Sequence, residues 1–432
     1  MASDILRPSL RGPCARQCWQ HPQSQLRYNR LANHLIPLSN GASRRSSKMQ
    51  TIETELAARN ERMRQILERN GLDALIITNK ETFEYFTGYR SLFWVSAARP
   101  FFAILSTEQA NPIVICASIE SRNAEYNPGG CTFIFYNGFI DDALANLSTA
   151  LKTTLPPQPR LAIDYGEEMF GRGSLALIEL LNDIANPHRL IEGAHLIWAL
   201  RCIKSAFEIE RKRTACKIAT DAFFEVLPSL RIGHSEQHFA QRLSASMLNK
   251  GAQSIDWLPV RFGTGKFPGT RHPTGRILAK DDFLWTDMGC SYEGYLSDLN
   301  RIAKVGDPTP EQEAEYGRVR DLTIAFAQSI KAGMTCEDVA REYEHLASGV
   351  RSAKGPAGRL GHGSGMGLTE PPSIMMGSDV VIQENMVLHV EPRSETAGGV
   401  FQVEEVFVVR EKSIEFLSDL SPPLLPVIED CR

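Results

Sequence analysis

The chain has 432 residues, of which 43% are hydrophobic and 23% are charged, and its formal net charge at pH 7 is −4. This length exceeds what one ordinary hydrophobic core accommodates, so we expect two domains. The slightly acidic balance argues against nucleic-acid binding, and the lack of an 18-residue apolar run predicts no membrane span. Nine scattered cysteines predict reduced thiols in a reducing, cytoplasmic compartment.

The first 48 residues differ in composition from the rest of the chain. They are rich in arginine and serine and contain one acidic residue, Asp4. This composition is typical of a mitochondrial presequence, which would direct the protein to mitochondria. A disordered extension, or a start site placed too early with Met49 as the true start, explains the same sequence. We exclude residues 1–48 from the predicted fold.

An alternation of helices and buried strands follows. Its apolar spacing predicts a first helix from Thr51 to Asn70. Such alternation is typical of an α/β domain with a largely buried sheet. The further predicted strands cover 73–78, 102–106, 113–116 and 161–164, and the further helices cover 141–152 and 174–185.

The pattern changes near Leu200, where long amphipathic helices begin. Apolar residues recur at helical spacing through 215–226. A second long helix is predicted to start at Thr309, with Thr309 as its cap, Pro310 in its first turn and Gln312 completing a capping box.

Two segments of this second half resemble each other. Residues 231–243 and 331–343 each contain a basic residue, a glycine, a Ser/Thr cap and a helix with an internal alanine. Coincidence is one explanation, because a glycine followed by Ser/Thr is a common way to end one helix and begin another. The shared helix–turn–helix–strand context favours a duplicated half-domain, which would place one site between two sheet halves.

Four segments of the C-terminal half carry residues suited to bind metals. Residues 283–301 predict a β-hairpin-like unit, with Asp287 at the end of an apolar run and Asp298 inside the returning strand. Two carboxylates on facing strands repel each other unless a cation lies between them. In the second segment, glycines flank His362 and let the backbone approach closely.

The third and fourth segments are predicted strands that carry Glu391 and Glu404 among apolar neighbours. Two aspartates, two glutamates and one histidine form a mainly hard-oxygen set, which suits divalent Mn, Fe, Co or Zn. Five protein ligands exceed what one catalytic metal with an open position needs. They fit two metals that share bridging carboxylates.

The order of these residues resembles the metal signature of the pita-bread metallohydrolases, peptidase family M24, which include methionine aminopeptidase, aminopeptidase P, prolidase and creatinase. Gly71-Leu-Asp-Ala-Leu-Ile-Ile-Thr-Asn and Tyr85-Phe-Thr-Gly-Tyr resemble the creatinase-type N-terminal domain, and the segment from Leu200 to Ile209 resembles its boundary helix. The resemblance implies an α/β creatinase-like domain over 49–198. It also implies an α+β pita-bread catalytic domain with an internal pseudo-two-fold duplication over 199–415, followed by a C-terminal tail over 416–432.

The resemblance also implies roles for the five residues. Asp287 would chelate one metal and Asp298 would bridge, His362 and Glu391 would hold the second metal, and Glu404 would bridge from the far side. A metal-bound hydroxide would attack an amide carbonyl, with Glu391 as proton shuttle and His362 at the catalytic centre. We expect two divalent ions per subunit, manganese first, with Co, Fe or Zn as the alternatives.

Three departures from the family pattern concern the substrate. Relatives carry a second histidine seven residues after the first, where this chain has Thr369. An upstream histidine is also typical; the nearest here is His272, two residues out of register, which we keep as a candidate for catalysis and substrate binding. Prolidases commonly place an arginine where this chain has Gln402.

We therefore predict a metallohydrolase of the Xaa-Pro dipeptidase or aminopeptidase type, acting on a small peptide or amide and forming a homodimer. One alternative is a relative with small-molecule chemistry, such as amidine or cyclic-amide hydrolysis or lyase activity. Another is a non-catalytic binding module on the same fold. The binding module is the weakest of the three, because such modules typically lack the metal ligands.

Overall fold

The computed structural model describes residues 51–265, 271–347 and 358–430, so the predicted N-terminal extension lies outside the described residues. The first part of the fold is a mixed six-stranded sheet of order β4-β3-β2-β1-β5-β6. In chain order its helices are α1 (Ile52–Arg69), α2 (Lys80–Thr87), α3 (Ile140–Thr154), α4 (Leu175–Ala185) and α5 (Ala194–Arg201), and its strands are β1 (Ala74–Ile77), β2 (Phe102–Ser106), β3 (Ile113–Ala117), β4 (Thr132–Tyr136), β5 (Leu161–Ile163) and β6 (Ile191–Glu192).

Helices cover both faces of this sheet. Leu75 and Ile77 on one face of β1 belong to the same core as Met63 of α1. Ile76 faces the other way and packs in a second core with Leu147 of α3. Because successive side chains of a strand point to opposite faces, a strand buried on both sides reads as a continuous apolar run. The predicted α/β domain with a buried sheet is thereby confirmed.

The second part combines two helix pairs with antiparallel sheets. The two main sheets have the orders β20-β12-β9-β8 and β14-β13-β15-β18-β19. The helices are α6 (Ala206–Val226), α7 (Glu236–Asn249), α8 (Pro310–Ser329) and α9 (Cys336–Leu346). The strands are β7 (Ser254–Trp257), β8 (Val260–Gly263), β9 (Phe283–Asp287), β10 (Gly289–Tyr292), β11 (Tyr295–Leu296), β12 (Asn300–Val305), β13 (Gly361–Gly363), β14 (Glu370–Ile374), β15 (Val387–Val390), β16 (Arg393–Thr396), β17 (Gly399–Gln402), β18 (Glu405–Val409), β19 (Ile414–Phe416) and β20 (Val427–Ile428).

Each helix pair packs on its own sheet. Phe223 of α6 and Phe239 of α7 share a core with Leu284 of β9. Phe326 of α8 shares a core with Leu388 of β15. The predicted start of α8 is confirmed: the Thr309 side chain accepts from the N–H of Gln312, and the Gln312 side chain accepts from the N–H of Thr309.

The two helix pairs repeat the same turn, which supports the predicted duplication. Gly233 and Gly333 each adopt φ = 94° between the helices of a pair. Their N–H groups donate to the carbonyls of Leu278 and Ile382, over 3.0 and 2.8 Å. Ser235 and Thr335 then cap α7 and α9, and each forms an antiparallel bridge to the segment that leads into a sheet. Matched capping, backbone angle and bridging argue for a common origin of the two halves.

Two further findings concern the C-terminal segment and the helices as a whole. β20 pairs in parallel with β12, with Lys304 opposite Val427, so part of the predicted tail over 416–432 contributes an edge strand to the four-stranded sheet. Among the described residues no helix is both long and apolar enough to cross a bilayer.

The repeated turn yields a stability prediction. A Cβ built on Gly333 meets no heavy atom within 4 Å, so Gly333→Ala introduces only the strain of a left-handed backbone. We expect a loss of about 1–2 kcal/mol in the free energy of unfolding, measured by urea denaturation. Gly317→Ala, inside α8 with equally open space, is the matched control and should raise it by roughly 0.5–1 kcal/mol. Equal stabilities of the two variants would contradict the argument.

Candidate metal centre

Two aspartates reach the centre from the first half of the duplicated domain. Asp287 is the last residue of β9 and pairs with Asn300 of β12. Asp298 lies two residues before Asn300 in the sequence, in the connection between β11 and β12. The prediction that Asp298 lies inside the returning strand is therefore wrong. Outside the ladder its side chain is free of the strict alternation of a strand and can turn toward the same point as Asp287.

His362 reaches the centre from the second half. It is the middle residue of β13, which pairs on both edges, with β14 and with β15. The strands approach so closely that a Cβ on Gly361 would lie 2.0 Å from the carbonyl oxygen of His389, and one on Gly363 would lie 2.2 Å from that of Pro371. The two flanking glycines are therefore required by this packing.

The prediction that Glu391 and Glu404 lie within strands is wrong, because both glutamates follow strand ends. Glu391 comes directly after β15, and Glu404 lies in the short break between β17 and β18. Glu404 and Asp298 are almost fully buried, whereas Glu391 and Asp287 are partly exposed. The centre therefore opens to solvent on the side of Asp287 and Glu391.

Glu404 connects the two halves of the site. Its Oε2 accepts the N–H of Asn300, from the four-stranded sheet, over 3.0 Å. Its Oε1 lies 2.9 Å from Nδ1 of His389, on the five-stranded sheet. One atom each of Asp298, His362, His389 and Glu404 lies within 4.8 Å of the other three, so these buried side chains could surround a single ion.

The geometry of His362 leaves one ring nitrogen free for a cation. Its Nδ1 lies 2.9 Å from the carbonyl oxygen of Gly363, which can only accept, so Nδ1 carries the proton and Nε2 the lone pair. Nε2 lies 3.6 Å from Oδ2 of Asp298. That separation is too long for a hydrogen bond, but two donors with metal bonds of about 2.0–2.2 Å can share one ion across it.

His389 is part of the centre, and the sequence analysis did not identify it. It is the direct cross-strand partner of His362, and the two rings stack with centroids 4.9 Å apart. It lies two residues before Glu391, in a strand whose other side chains are apolar. A buried histidine at that position was the available signal, but only the strand register brings it next to His362.

The two partly exposed carboxylates are held by neighbouring side chains. Nε1 of Trp257 donates to Oδ2 of Asp287 over 2.8 Å. Nε2 of Gln402 donates to Oε2 of Glu391 over 3.3 Å, and Oε1 of Gln402 accepts from Trp285 over 3.0 Å. Gln402, which replaces the arginine common in prolidases, therefore orients Glu391 without adding a charge.

Burial disfavours the ionised form of all four carboxyl groups, and repulsion by Glu404 adds to this effect at the other three. Burial and the charge of Glu404 raise the pKa of Asp287 to about 7, and burial raises the pKa of Glu404 to about 7. Burial with the charges of Glu404 and Asp287 raises the pKa of Glu391 to about 8. The same causes raise the pKa of Asp298 well above its usual range. These interactions place Asp287 and Glu391 in the same electrostatic cluster as Asp298 and Glu404.

The residues fit divalent cations. Oδ1 of Asp287 is buried and accepts no hydrogen bond within the described part of the chain. Burial lowers the pKa of His362 far below its usual range, which keeps the imidazole in the neutral form that binds metals. Carboxylates crowded in this way are stabilised by a cation that interacts with several at once. The donor set is mainly oxygen with neutral imidazole, which suits Mn, Fe, Co or Zn.

The predicted substrate residues lie outside the cluster of four. Thr369 is exposed in the loop between β13 and β14. His272 is exposed too, in the stretch from 271 to 276 that follows the undescribed residues 266–270. Neither belongs to the group of side chains that could surround an ion, and their roles toward substrate stay predictions.

A buried ion cluster anchors the Thr369 loop to the N-terminal part. Glu370 lies within 3.1 Å of Nζ of Lys204 and 2.5 Å of Arg201 at the end of α5. Arg201 also donates to the hydroxyl of Thr82 in α2, over 3.0 Å. Oε1 of Glu370 accepts the N–H of Gly367 over 2.9 Å, which holds the loop in place.

Comparison with known proteins agrees with this architecture. The family model of metallopeptidase family M24 matches residues 210–411, and that of the creatinase/prolidase N-terminal domain matches residues 59–203. An Xaa-Pro dipeptidase from Lactobacillus helveticus is 25% identical over 343 residues, covering 77% of this chain and 88% of the relative. An uncharacterized peptidase from Bacillus subtilis (strain 168) is 27% identical over 361 residues, covering 81% and 95%.

Solved structures show the same fold. The X-Pro aminopeptidase from Thermotoga maritima has a TM-score of 0.72 at 23% identity, covering 85% of this chain and 99% of that one. A prolidase from Thermococcus sibiricus has a TM-score of 0.74 at 23% identity, covering 85% and 98%. The N-terminal domain of FACT complex subunit SPT16 from chickpea also matches, with a TM-score of 0.67 at 15% identity, covering 87% and 97%.

The buried ion cluster predicts a large loss of stability in Glu370→Gln. Glutamine keeps the volume but leaves Arg201 and Lys204 without their counter-charge, and breaking such a buried pair typically costs about 3–5 kcal/mol in the free energy of unfolding. Denaturant titration measures the loss. Glu61→Gln, which removes an exposed ion pair with Arg64, is the control and should leave the unfolding midpoint unchanged.

The pH dependence of stability follows from the ionisation of Glu370. Burial alone would raise the pKa of Glu370, but the charges of Arg201 and Lys204 outweigh it and lower the pKa to about 2 from 4.5. The stability that ionised Glu370 contributes is therefore fully present above pH 4.5 and is lost as the pH falls through about 2. A Glu370→Gln variant that is as stable as the parent protein at pH 6 would contradict this account.

Proposed function

Because the chain belongs to metallopeptidase family M24, we propose that it hydrolyses a peptide or amide bond in a small substrate, using divalent cations held by Asp287, Asp298, His362, Glu391 and Glu404. The observation that carries this proposal is the buried cluster of Asp298, His362, His389 and Glu404, each with one possible ligand atom within 4.8 Å of those of the others. The buried members come from both halves of the duplicated domain, and Glu404 contacts both sheets. At this junction burial and the charge of Glu404 raise the pKa of Asp287, Asp298 and Glu391, and carboxyl groups perturbed in this way are typical of functional sites.

The side chains that face solvent would act on the substrate. When bound, divalent cations would polarise the scissile carbonyl and make water a stronger nucleophile. We assign to Glu391, which is partly exposed, the transfer of a proton from the attacking water to the leaving amine. Gln402 fixes the Glu391 carboxylate through Oε2, and Trp257 fixes the Asp287 carboxylate through Oδ2.

Manganese is the metal we propose first, with Co, Fe or Zn as alternatives. Carboxylate oxygens dominate the donor set, and hard-oxygen sites suit manganese. Asp287, Asp298, His362, Glu391 and Glu404 would hold the cations, and a set of five protein ligands supports two ions per subunit.

The surroundings of the metal centre favour a substrate other than a simple Xaa-Pro dipeptide. Thr369 stands where relatives carry the histidine thought to contact the scissile carbonyl, and its exposed hydroxyl is a shorter, uncharged donor. Loss of one oxyanion donor typically costs on the order of 10²–10³ in rate. We therefore propose slow cleavage of Xaa-Pro dipeptides and faster turnover of another small peptide or amide.

A non-catalytic binding module remains the weaker alternative. The similarity to the SPT16 domain, at 15% identity, concerns the fold alone. The complete set of five ligand-type residues favours the enzyme over the module. The homodimer and the reducing, cytoplasmic compartment remain predictions, with a mitochondrial location dependent on residues 1–48. The cysteines of the described residues are buried as thiols, which is compatible with a reducing compartment.

The first prediction of this proposal concerns metal dependence. Asp298→Asn or Glu404→Gln should remove metal from the pair of sites and abolish peptide hydrolysis, because each replaces a proposed bridge by a weaker neutral ligand. Metal content is measured by elemental analysis and activity by a screen of Xaa-Pro dipeptides, longer peptides and small amides. Glu384→Gln, at an exposed glutamate, is the control and should keep both. Full activity after exhaustive chelation, with no metal detected, would refute the proposal.

The second prediction concerns the missing donor. Thr369→His should raise kcat/KM for Xaa-Pro dipeptides, with about 10²-fold as the lower end of what an oxyanion donor contributes. Thr369→Leu is a matched control that adds bulk without a hydrogen-bond donor, and it should give no gain. Vigorous Xaa-Pro cleavage by the unmodified protein, comparable with that of ordinary prolidases, would show that the departure at Thr369 has no functional meaning.

A further inference from the structure

His389 differs from His362 in the use of its ring nitrogens. Among the described residues, Nε2 of His362 accepts no hydrogen bond, and it faces Oδ2 of Asp298 across 3.6 Å. His389 is engaged on both sides: Nδ1 lies 2.9 Å from Oε1 of Glu404, and Nε2 lies 2.6 Å from the hydroxyl of Ser364. The two stacked histidines therefore have different tasks.

We propose that Ser364 and His389 form a buried hydrogen-bond relay that orients Glu404, so that His389 is a positioning residue of the metal centre in addition to the five ligands. This inference rests on the proposed function, in which Glu404 binds the cations. Carboxylates and imidazoles that contact a metal are commonly oriented by such outer partners, and loss of one typically costs 10–100-fold in metal affinity.

The direction of the two hydrogen bonds follows from the chemistry of the groups. A neutral imidazole carries one proton, on either Nδ1 or Nε2. A carboxylate that binds cations is ionised and only accepts, which assigns the imidazole proton to Nδ1, donating to Glu404. Nε2 is then the acceptor for the hydroxyl of Ser364.

Both oxygens of Glu404 are thereby held from different elements. Asn300 donates its N–H to Oε2 from the four-stranded sheet, and His389 donates to Oε1 from the five-stranded sheet. Two donors on two oxygens fix the rotation of the carboxylate, which a single contact cannot do. Each oxygen retains a further lone pair for a cation.

The order Ser364, His389 and Glu404 also matches the connectivity of a serine-nucleophile triad, but burial excludes that role. Ser364 and His389 are both 0% exposed, so no substrate carbonyl can reach the hydroxyl. A fully buried series of hydrogen bonds orients the groups that it connects. This series ends on Glu404, whose carboxylate contacts both sheets.

The experiment measures Co²⁺ binding to the metal-free protein by calorimetry and by the visible absorption of bound Co²⁺. His389→Ala removes the donor, and we expect it to weaken affinity by about 10–100-fold. His389→Asn retains an N–H donor near the position of Nδ1 and should recover most of that loss. Ser364→Ala removes only the outer hydrogen bond and should weaken affinity by about two- to tenfold.

Two outcomes would overturn the proposal directly, and a third case is decided by the remaining variants. Unchanged affinity in both His389→Ala and Ser364→Ala would show that the relay does not act on the metal centre. Equal, complete loss of one Co²⁺ equivalent in His389→Ala and His389→Asn would show that His389 is itself a ligand. Loss of folding in His389→Ala, seen by circular dichroism of the metal-free protein, leaves His389→Asn and Ser364→Ala to decide: wild-type affinity in Ser364→Ala would then refute the relay.

Glu404→Gln separates this inference from the proposed function. If Glu404→Gln binds Co²⁺ like the parent protein, the metal centre itself has been assigned wrongly. If Glu404→Gln loses binding while His389→Ala and Ser364→Ala keep it, the centre stands and only the relay fails.

Discussion

The constraint on which this structure depends is the crowding of four carboxyl groups at the junction of two sheets. Burial raises the pKa of Asp287, Asp298, Glu391 and Glu404, and the charge of Glu404 raises it further at the other three, so folding without a cation favours their protonated forms. A buried charge cluster of one sign is unfavourable unless cations compensate it. Cations bound at this junction would supply that compensation, and Glu404 contacts both sheets there, through Asn300 and His389.

The surrounding architecture supports that junction from two directions. The duplicated helix pairs each pack on one sheet, and their matched turns at Gly233 and Gly333 set the two halves in equivalent positions. The N-terminal part contributes Arg201, which contacts both Thr82 and Glu370 and so ties α2 to the loop beside the site. Opposite charges compensate each other in this second buried cluster without a metal. Buried carboxylates need positive charge in both clusters. Arg201 and Lys204 supply it to Glu370, whereas cations would supply it at the metal centre and could also act in catalysis.

Much of the fold was readable from the sequence, because local rules decide it. The capping box at Thr309, the buried run of β1 and the repeated glycine turns depend on neighbours a few residues apart. The five ligand-type residues were likewise visible as carboxylates and a histidine among apolar neighbours. The sequence could not predict His389 or the separation of Asp298 from its strand, since both depend on which residues face each other across strands. Register and strand breaks are set by tertiary packing. For the same reason the sequence could not predict that Trp257 contacts Asp287 or that Gln402 contacts Glu391.

Anomalous X-ray scattering from crystals of the protein loaded with Mn²⁺ tests the central claim most directly. The account predicts strong peaks in the space bounded by Asp287, Asp298, His362, Glu391 and Glu404, each within about 2.0–2.3 Å of several of their oxygen or nitrogen atoms. A fully loaded crystal with no peak in that space, or with peaks only at surface carboxylates, would contradict it.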